Sequence, residues 1–367
     1  MTAHCRRNAR RAAIGGAFAV FVSVFLFPQA SLAGDNFGAL NKPYQQGRGF
    51  QFADGKFSIG GYTSFRYLNA SGEKPVIDLR DVSFLINWRP RPRWRLFSEA
   101  EIGEVATITS GEINADDASF DLERLYAEYA VSPELKFRFG KSLTPIGYWN
   151  MVHAAPLVWS VTRPWTSVSP FARHTTGANV NGVVHAGDAD FDYTLFVDDS
   201  DDLDPDRKDP STEGGIGISP NNNFDNGYGL RLVAHLRQGD LNIGLSLGSF
   251  RLAHLADRKD FFGLDAIWQA GDTELSAAAI YRASSRNERD EWGAYVQVAT
   301  PIVSDVYLFA RHEQVRNALP AISAKVSNIG LNFHPIPPVS LKLEYRYGHN
   351  NDAFATDAWL ASFDVLF

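Results

Sequence analysis

The sequence predicts an all-β chain: a transmembrane antiparallel β-barrel of sixteen strands. Three observations carry this. From Lys56 to Phe367 apolar and polar residues alternate with period two, in segments of barrel-strand length. The turns between segments alternate short and long. No stretch after residue 33 is long and apolar enough to span a bilayer as a helix. In lipid, backbone groups can pair only with one another, so a spanning chain without such a helix must close into a barrel.

The first residues read as a secretory leader. Arg6, Arg7, Arg10 and Arg11 precede an apolar run from Ala12 to about Phe27, and Ser31-Leu32-Ala33 supplies small residues for cleavage after Ala33. Three regions follow: a signal peptide over 1–33, a short periplasmic segment over 34–55 and the barrel over 56–367. The single cysteine, Cys5, lies in the leader, so the mature chain is expected to have no disulfide, thiolate chemistry or Cys-bound metal. Taking the four leader arginines from the 35 basic residues leaves 31 against 42 acidic ones, a net charge of −11. Nucleic acid is an unsuitable partner for such a chain.

The strands are expected at 56–70, 75–89, 93–108, 119–132, 134–141, 175–186, 190–199 and 226–238. They continue at 240–252, 259–270, 272–283, 290–300, 304–315, 322–333, 339–348 and 355–367. The last is the clearest. Trp359, Ala361, Phe363, Val365 and Phe367 share one face, and Leu360, Ser362, Asp364 and Leu366 the other. An even count puts both ends in the periplasm. The short connections all fall on the even-to-odd side, as at Pro90-Arg91-Pro92, Ser132-Pro133, Gln238-Gly239 and Ala270-Gly271. Two outer connections are very long, about 142–174 and 200–225; a hidden strand pair in the first would raise the count to eighteen. Trp88, Trp94, Trp268 and Phe333 fall at one expected membrane interface, Trp292 and Trp359 at the other.

A terminal Phe367 on an alternating strand resembles the signal read by the barrel-assembly machinery of Gram-negative bacteria. The segment Phe139-Gly140-Lys141-Ser142-Leu143-Thr144-Pro145-Ile146-Gly147 resembles the strand-to-loop stretch of the phosphate-selective porin O and P superfamily. Asp121-Leu122-Glu123-Arg124-Leu125-Tyr126-Ala127-Glu128-Tyr129 is similar to the strand before it. The resemblance implies sixteen strands, an infolded third extracellular loop, a homotrimer, and a porin passing small, anionic solutes.

Parity places Arg66, Arg95, Arg124, Lys136, Arg138, Arg231, Arg311, Lys342 and Arg346 inward, with Glu99, Glu101 and Glu128. Most of these are expected to pair and brace the wall. The third loop differs. From Leu135 to Gly187 there is no Asp or Glu, while Lys141, Arg163, Arg173 and His153 stand among Trp149, Trp159 and Trp165. A loop left in water has no use for so many aromatics. These residues are therefore the expected constriction, packed against the inner wall with cations facing the opening. The resulting expectation is a modest anion preference, which Glu99, Glu101 or Glu128 can offset. The rival expectation is a cation preference set by the net charge.

The fourth long loop crowds Asp198, Asp199, Asp201, Asp202, Asp204, Asp206 and Asp209. Its spacing fits no EF-hand, and it reads as a solvated surface loop rather than a calcium site. No Gly-x-Ser-x-Gly occurs, and the histidines have no adjacent serine motif, so the chain is read as a pore and not an enzyme. The alternatives are a barrel hydrolase or a surface adhesin with an acidic extracellular loop. The expected partners are outer-membrane lipid and small solutes, with no cofactor and no metal.

Overall fold

The computed structural model describes residues 49–367 except 153, 169–170, 204–223, 253–257, 285–289, 318–321 and 350–355. The expected leader, His153 and most of the acidic fourth loop lie outside the described residues.

Sixteen strands form the barrel. They are β1 (Phe57–Ala70), β2 (Val76–Arg91), β3 (Trp94–Thr109), β4 (Ser119–Ser132), β5 (Leu135–Leu143), β6 (His174–Ala186), β7 (Ala189–Asp198) and β8 (Phe224–Leu236). Then follow β9 (Leu241–Leu252), β10 (Arg258–Ala270), β11 (Thr273–Ser284), β12 (Glu291–Val303), β13 (Val306–Asn317), β14 (Ile322–Ile336), β15 (Val339–His349) and β16 (Ala358–Leu366). Each pairs antiparallel with the next, and β16 pairs with β1 from Leu366↔Tyr62 to Ala358↔Ala70, which closes the sheet. Phe50–Phe52 adds a short strand beside the start of β1, and Glu112–Asn114 folds back on the end of β3.

The alternation sorts side chains as a barrel in lipid demands. On β16, Leu360, Ser362 and Asp364 point inward and are buried, while Trp359 stands half-exposed outside. On β8, Arg231 is buried inside and Tyr228 exposed outside. Trp88, Trp94, Trp268, Phe333 and Trp359 are all exposed on the outer face.

The seam between first and last strands is tight. The Gly61 N–H donates to the Phe367 carbonyl and the Phe367 N–H to the Gly61 carbonyl, both at 2.9 Å. The Phe367 ring meets Phe84 edge-on at 6.1 Å. A Cβ at Gly61 would lie 2.0 Å from the Ser83 carbonyl oxygen and 2.7 Å from the Phe367 ring, so glycine is needed there.

Bulges break the strict parity in several strands, β2 and β4 among them. In β2 the register shifts between Leu79 and Asp81, leaving Arg80 as an extra residue. Asp78 beside Arg66 and Asp81 beside Ser64 therefore both face the lumen. In β4 the shift leaves Glu123 extra, between Leu122↔Ala100 and Arg124↔Glu99.

The third loop holds no strand pair among its described residues. It forms short turns instead: α1 (Gly147–Met151), a 3-10 turn (Ala155–Leu157) and α2 (Trp165–Val168). The barrel therefore has sixteen strands, not eighteen.

Candidate functional site

The third loop leaves the wall at Leu143 and returns at His174, and between these points it crosses the lumen. Its root is apolar. Ile146, Phe171 and Ala172 are buried against Phe196, Phe224, Phe250, Phe261 and Ile280, the inner faces of β7–β11. Trp149 and Val158 pack on Tyr295 of β12. Burial near the Glu274 carboxylate pushes the Tyr148 phenol up to about 12.

Polar groups of the wall fasten the rest. The Glu344 carboxylate accepts the backbone N–H of Val161 at 2.7 Å and of Thr162 at 3.1 Å, together with the Thr162 hydroxyl. Arg311 donates to the Ser160 hydroxyl (2.8 Å), the Thr162 carbonyl (2.9 Å) and the Thr162 hydroxyl (2.8 Å). Glu313 accepts the Trp165 N–H at 2.6 Å. The Lys342 ammonium donates to the Ala155 carbonyl at 2.7 Å and pairs with Asp364 at 3.0 Å. The Trp159 indole N–H donates to Glu274 at 2.8 Å. A crossing loop has no ladder to satisfy its backbone, and these side chains replace one.

The loop thus fills the side of the lumen formed by β7–β16 and leaves a cavity of about 480 Å³ on the side of β1–β4. Ten charged side chains line it. Arg66, Arg80, Arg163 and Arg173 are the cations; Asp78, Asp81, Glu101, Glu104, Asp117 and Asp121 are the acids. Arg66 is paired with Asp78 at 2.6 Å. Glu101 accepts hydrogen bonds from Tyr62 at 3.1 Å and Ser83 at 2.6 Å.

The sequence-based candidates divide accordingly. Arg163, Arg173, Arg66 and Glu101 line the open space. Trp149 and Trp165 are buried anchors, and Trp159 lies against Tyr307, so these three fasten the loop and do not line the opening. Lys141 does not reach the cavity. The register pairs it with Leu125, half-exposed on the outer face, while its neighbour Ser142 turns inward to Asn179. Arg231 and Arg311 are inward but buried, Arg231 with Asp265 at 2.7 Å. Lys342 is held by the loop and Asp364, and Arg346 donates to the Thr356 carbonyl at 3.1 Å. Lower on the wall, Arg124 pairs with Glu99 and Arg138 with Glu128. Arg95 bonds Asn87 at 2.7 Å, beside a stacked Phe97–Tyr126 pair. Lys136 sits opposite Asn181.

Asp78, Arg80, Glu104, Asp117 and Asp121 are lining residues that strict parity misses. Bulges shift the count in β2, and Glu104 takes a positive φ of 49° that breaks the alternation in β3. Asp198, expected in the surface loop, is buried and accepts from the Thr176 N–H and the Ser200 hydroxyl at 2.7 and 2.8 Å.

No family model matches the chain. A protein of Aquifex aeolicus (strain VF5), described as uncharacterized, is 24% identical over 373 residues, covering 90% of this chain and 82% of the relative. Among solved structures, the in-vitro folded trimer form of OmpT, an outer-membrane protein of Vibrio cholerae, superposes with a TM-score of 0.57 at 13% identity. It covers 85% of this chain and 99% of that one. Salmonella typhi OmpF in complex with daunomycin gives 0.57 at 11% identity, over 85% and 97% of the two chains. An anion-selective porin from Comamonas acidovorans gives 0.56 at 12%, over 85% and 99%. The chain has the fold of the outer-membrane porins.

Proposed function

We propose that this protein is an outer-membrane channel through which small hydrophilic solutes diffuse, passing between the third loop and the inner faces of β1–β4. One observation carries the reading: the loop is bonded across the lumen, yet leaves beside β1–β4 a cavity lined by ten charged side chains. Such a lining keeps the space wet, and low-dielectric walls focus its field on whatever passes. The porin fold supports the reading.

Six acids against four arginines favour a weak preference for cations. A second reading is the modest anion preference expected from the loop, favoured by Arg163 and Arg173, which reach the opening from the narrowing element itself. Reversal potential in a KCl gradient across a planar bilayer separates the two by its sign. A purified, folded protein that conducts nothing would end the channel reading altogether.

The rest of the proposal follows from the same placement. A cleaved leader over 1–33 and a short 34–55 segment deliver a barrel over 56–367 to the outer membrane, with Phe367 read during assembly. A homotrimer is the proposed assembly, as in the trimer form of OmpT. Kinship with the phosphate-selective superfamily rests on the segment around Gly140 and Pro145; with Lys141 turned outward, that segment adds no cation to the passage.

A further inference from the structure

The outward face of β12–β15 changes character towards the end where β13 leads into β14. The register arranges it in rows. Val298, Ala310, Ile329, Tyr345 and Trp359 form an apolar and aromatic row. Above it come Val296, His312, Ser327 and Tyr347, then Ala294, Gln314, Lys325 and His349, then Trp292, Arg316 and Ser323. His312, Arg316, Lys325 and Tyr347 are exposed.

The patch is organised. Ser327 bridges the two imidazoles, 2.8 Å from His312 Nδ1 and 2.9 Å from His349 Nε2. The two imidazole rings lie 5.7 Å apart, and Tyr347 stands edge-on to His349 at 4.5 Å. The outward positions of these four strands hold no carboxylate. Glu291, Glu313 and Glu344 are all buried on the inner side. Asp357 at the edge is engaged by the Gly348 N–H at 3.0 Å and the Tyr345 hydroxyl at 3.4 Å. Among the described residues, Arg316 and Lys325 have no carboxylate partner.

A cation facing hydrocarbon is costly at mid-bilayer and tolerated at the interface, where long side chains reach polar headgroups. Lys325 and Arg316, two and three rows above the apolar band, therefore sit at headgroup height. The guanidinium and ammonium match phosphate oxygens, and Trp292, Tyr347 and Trp359 supply the amphipathic ring surface found at that level. Odd-to-even connections such as β13–β14 are the outer ones if the long loops face outward, which places the patch in the outer leaflet.

We propose that this face binds a phosphorylated lipid headgroup of the outer leaflet, gripped by Arg316 and Lys325 and flanked by His312 and His349. The proposal rests on the membrane-spanning orientation given above. Lipid A is the probe, titrated into the folded full-length barrel in neutral detergent. Binding should saturate and weaken with monophosphoryl lipid A, and millimolar inorganic phosphate should not compete. The double variant Arg316→Ala, Lys325→Ala should bind lipid A about thirtyfold more weakly, the scale set by two cations at an anionic surface. Its conductance should equal the parent's, because neither side chain enters the lumen. Equal binding by the variant, or displacement by inorganic phosphate alone, overturns the proposal. So does a changed oligomeric state with unchanged lipid A binding, which would make the face a contact between copies. A parent that binds lipid A but does not conduct would sink only the channel reading.

Discussion

Arg163 and Arg173 are the two cations that the third loop brings to the open space, and they face carboxylates on three strands. At about 4 Å and water-like screening a unit charge is worth about 1 kcal/mol to a passing ion, or roughly fivefold in relative permeability. Replacing both arginines with alanine should therefore move the reversal potential towards cations. Glu101→Gln with Asp121→Asn should move it the other way, and two silent variants would place the filter elsewhere. Parity alone turns Arg66 and Glu101 to the side on which the register places them, because no bulge separates them from the regular part of their strands. It misses Asp78, since the extra residue Arg80 turns two successive carboxylates to one side. The bulge is hard to see in the alternation because Arg80 and Asp81 are successive charged residues, and either can be taken as the inward one.

The third loop is legible in the sequence as an element but not as a shape. Its acid-free, aromatic composition shows that it leaves water. Its fastenings are invisible there, because Glu344, Arg311 and Lys342 lie about 150 or more residues away along the chain. The same blindness makes Trp149 and Trp165 look like constriction residues when they are anchors. Glu344→Ala strips two backbone N–H groups of their acceptor, at about 1–3 kcal/mol each if they stay buried. It should release the loop and give a noisier, larger single-channel current, with the barrel still folded. A quiet current of unchanged size would mean that Glu344 is dispensable for holding the loop. Removing residues 146–171 should raise conductance further than Glu344→Ala does, and conductance equal to the parent's would show that the loop is not the constriction.

On the scale of the whole molecule, sixteen strands close through one seam, where Gly61 admits Phe367 beneath Phe84. Gly61→Val should prevent closure and abolish the compact, heat-modifiable band of a folded barrel in gel electrophoresis. A variant that still migrates as a folded barrel would show that the seam adapts. The barrel itself is readable in the sequence because lumen and lipid impose opposite chemistries on alternate residues along every strand. What the closed barrel adds is asymmetry: the loop is fastened to the wall by Glu344, Arg311, Glu313 and Lys342, and a charged cavity lies beside β1–β4. Cysteine substitution tests that division directly, since Cys5 is the only native cysteine and lies in the expected leader. A charged methanethiosulfonate reagent should roughly halve the current of Ser119→Cys and Thr107→Cys barrels, whose thiols line the proposed passage. The same reagent should leave Ser276→Cys, buried on the filled side, unchanged. Block at Ser276 with none at Ser119 and Thr107 would contradict the account.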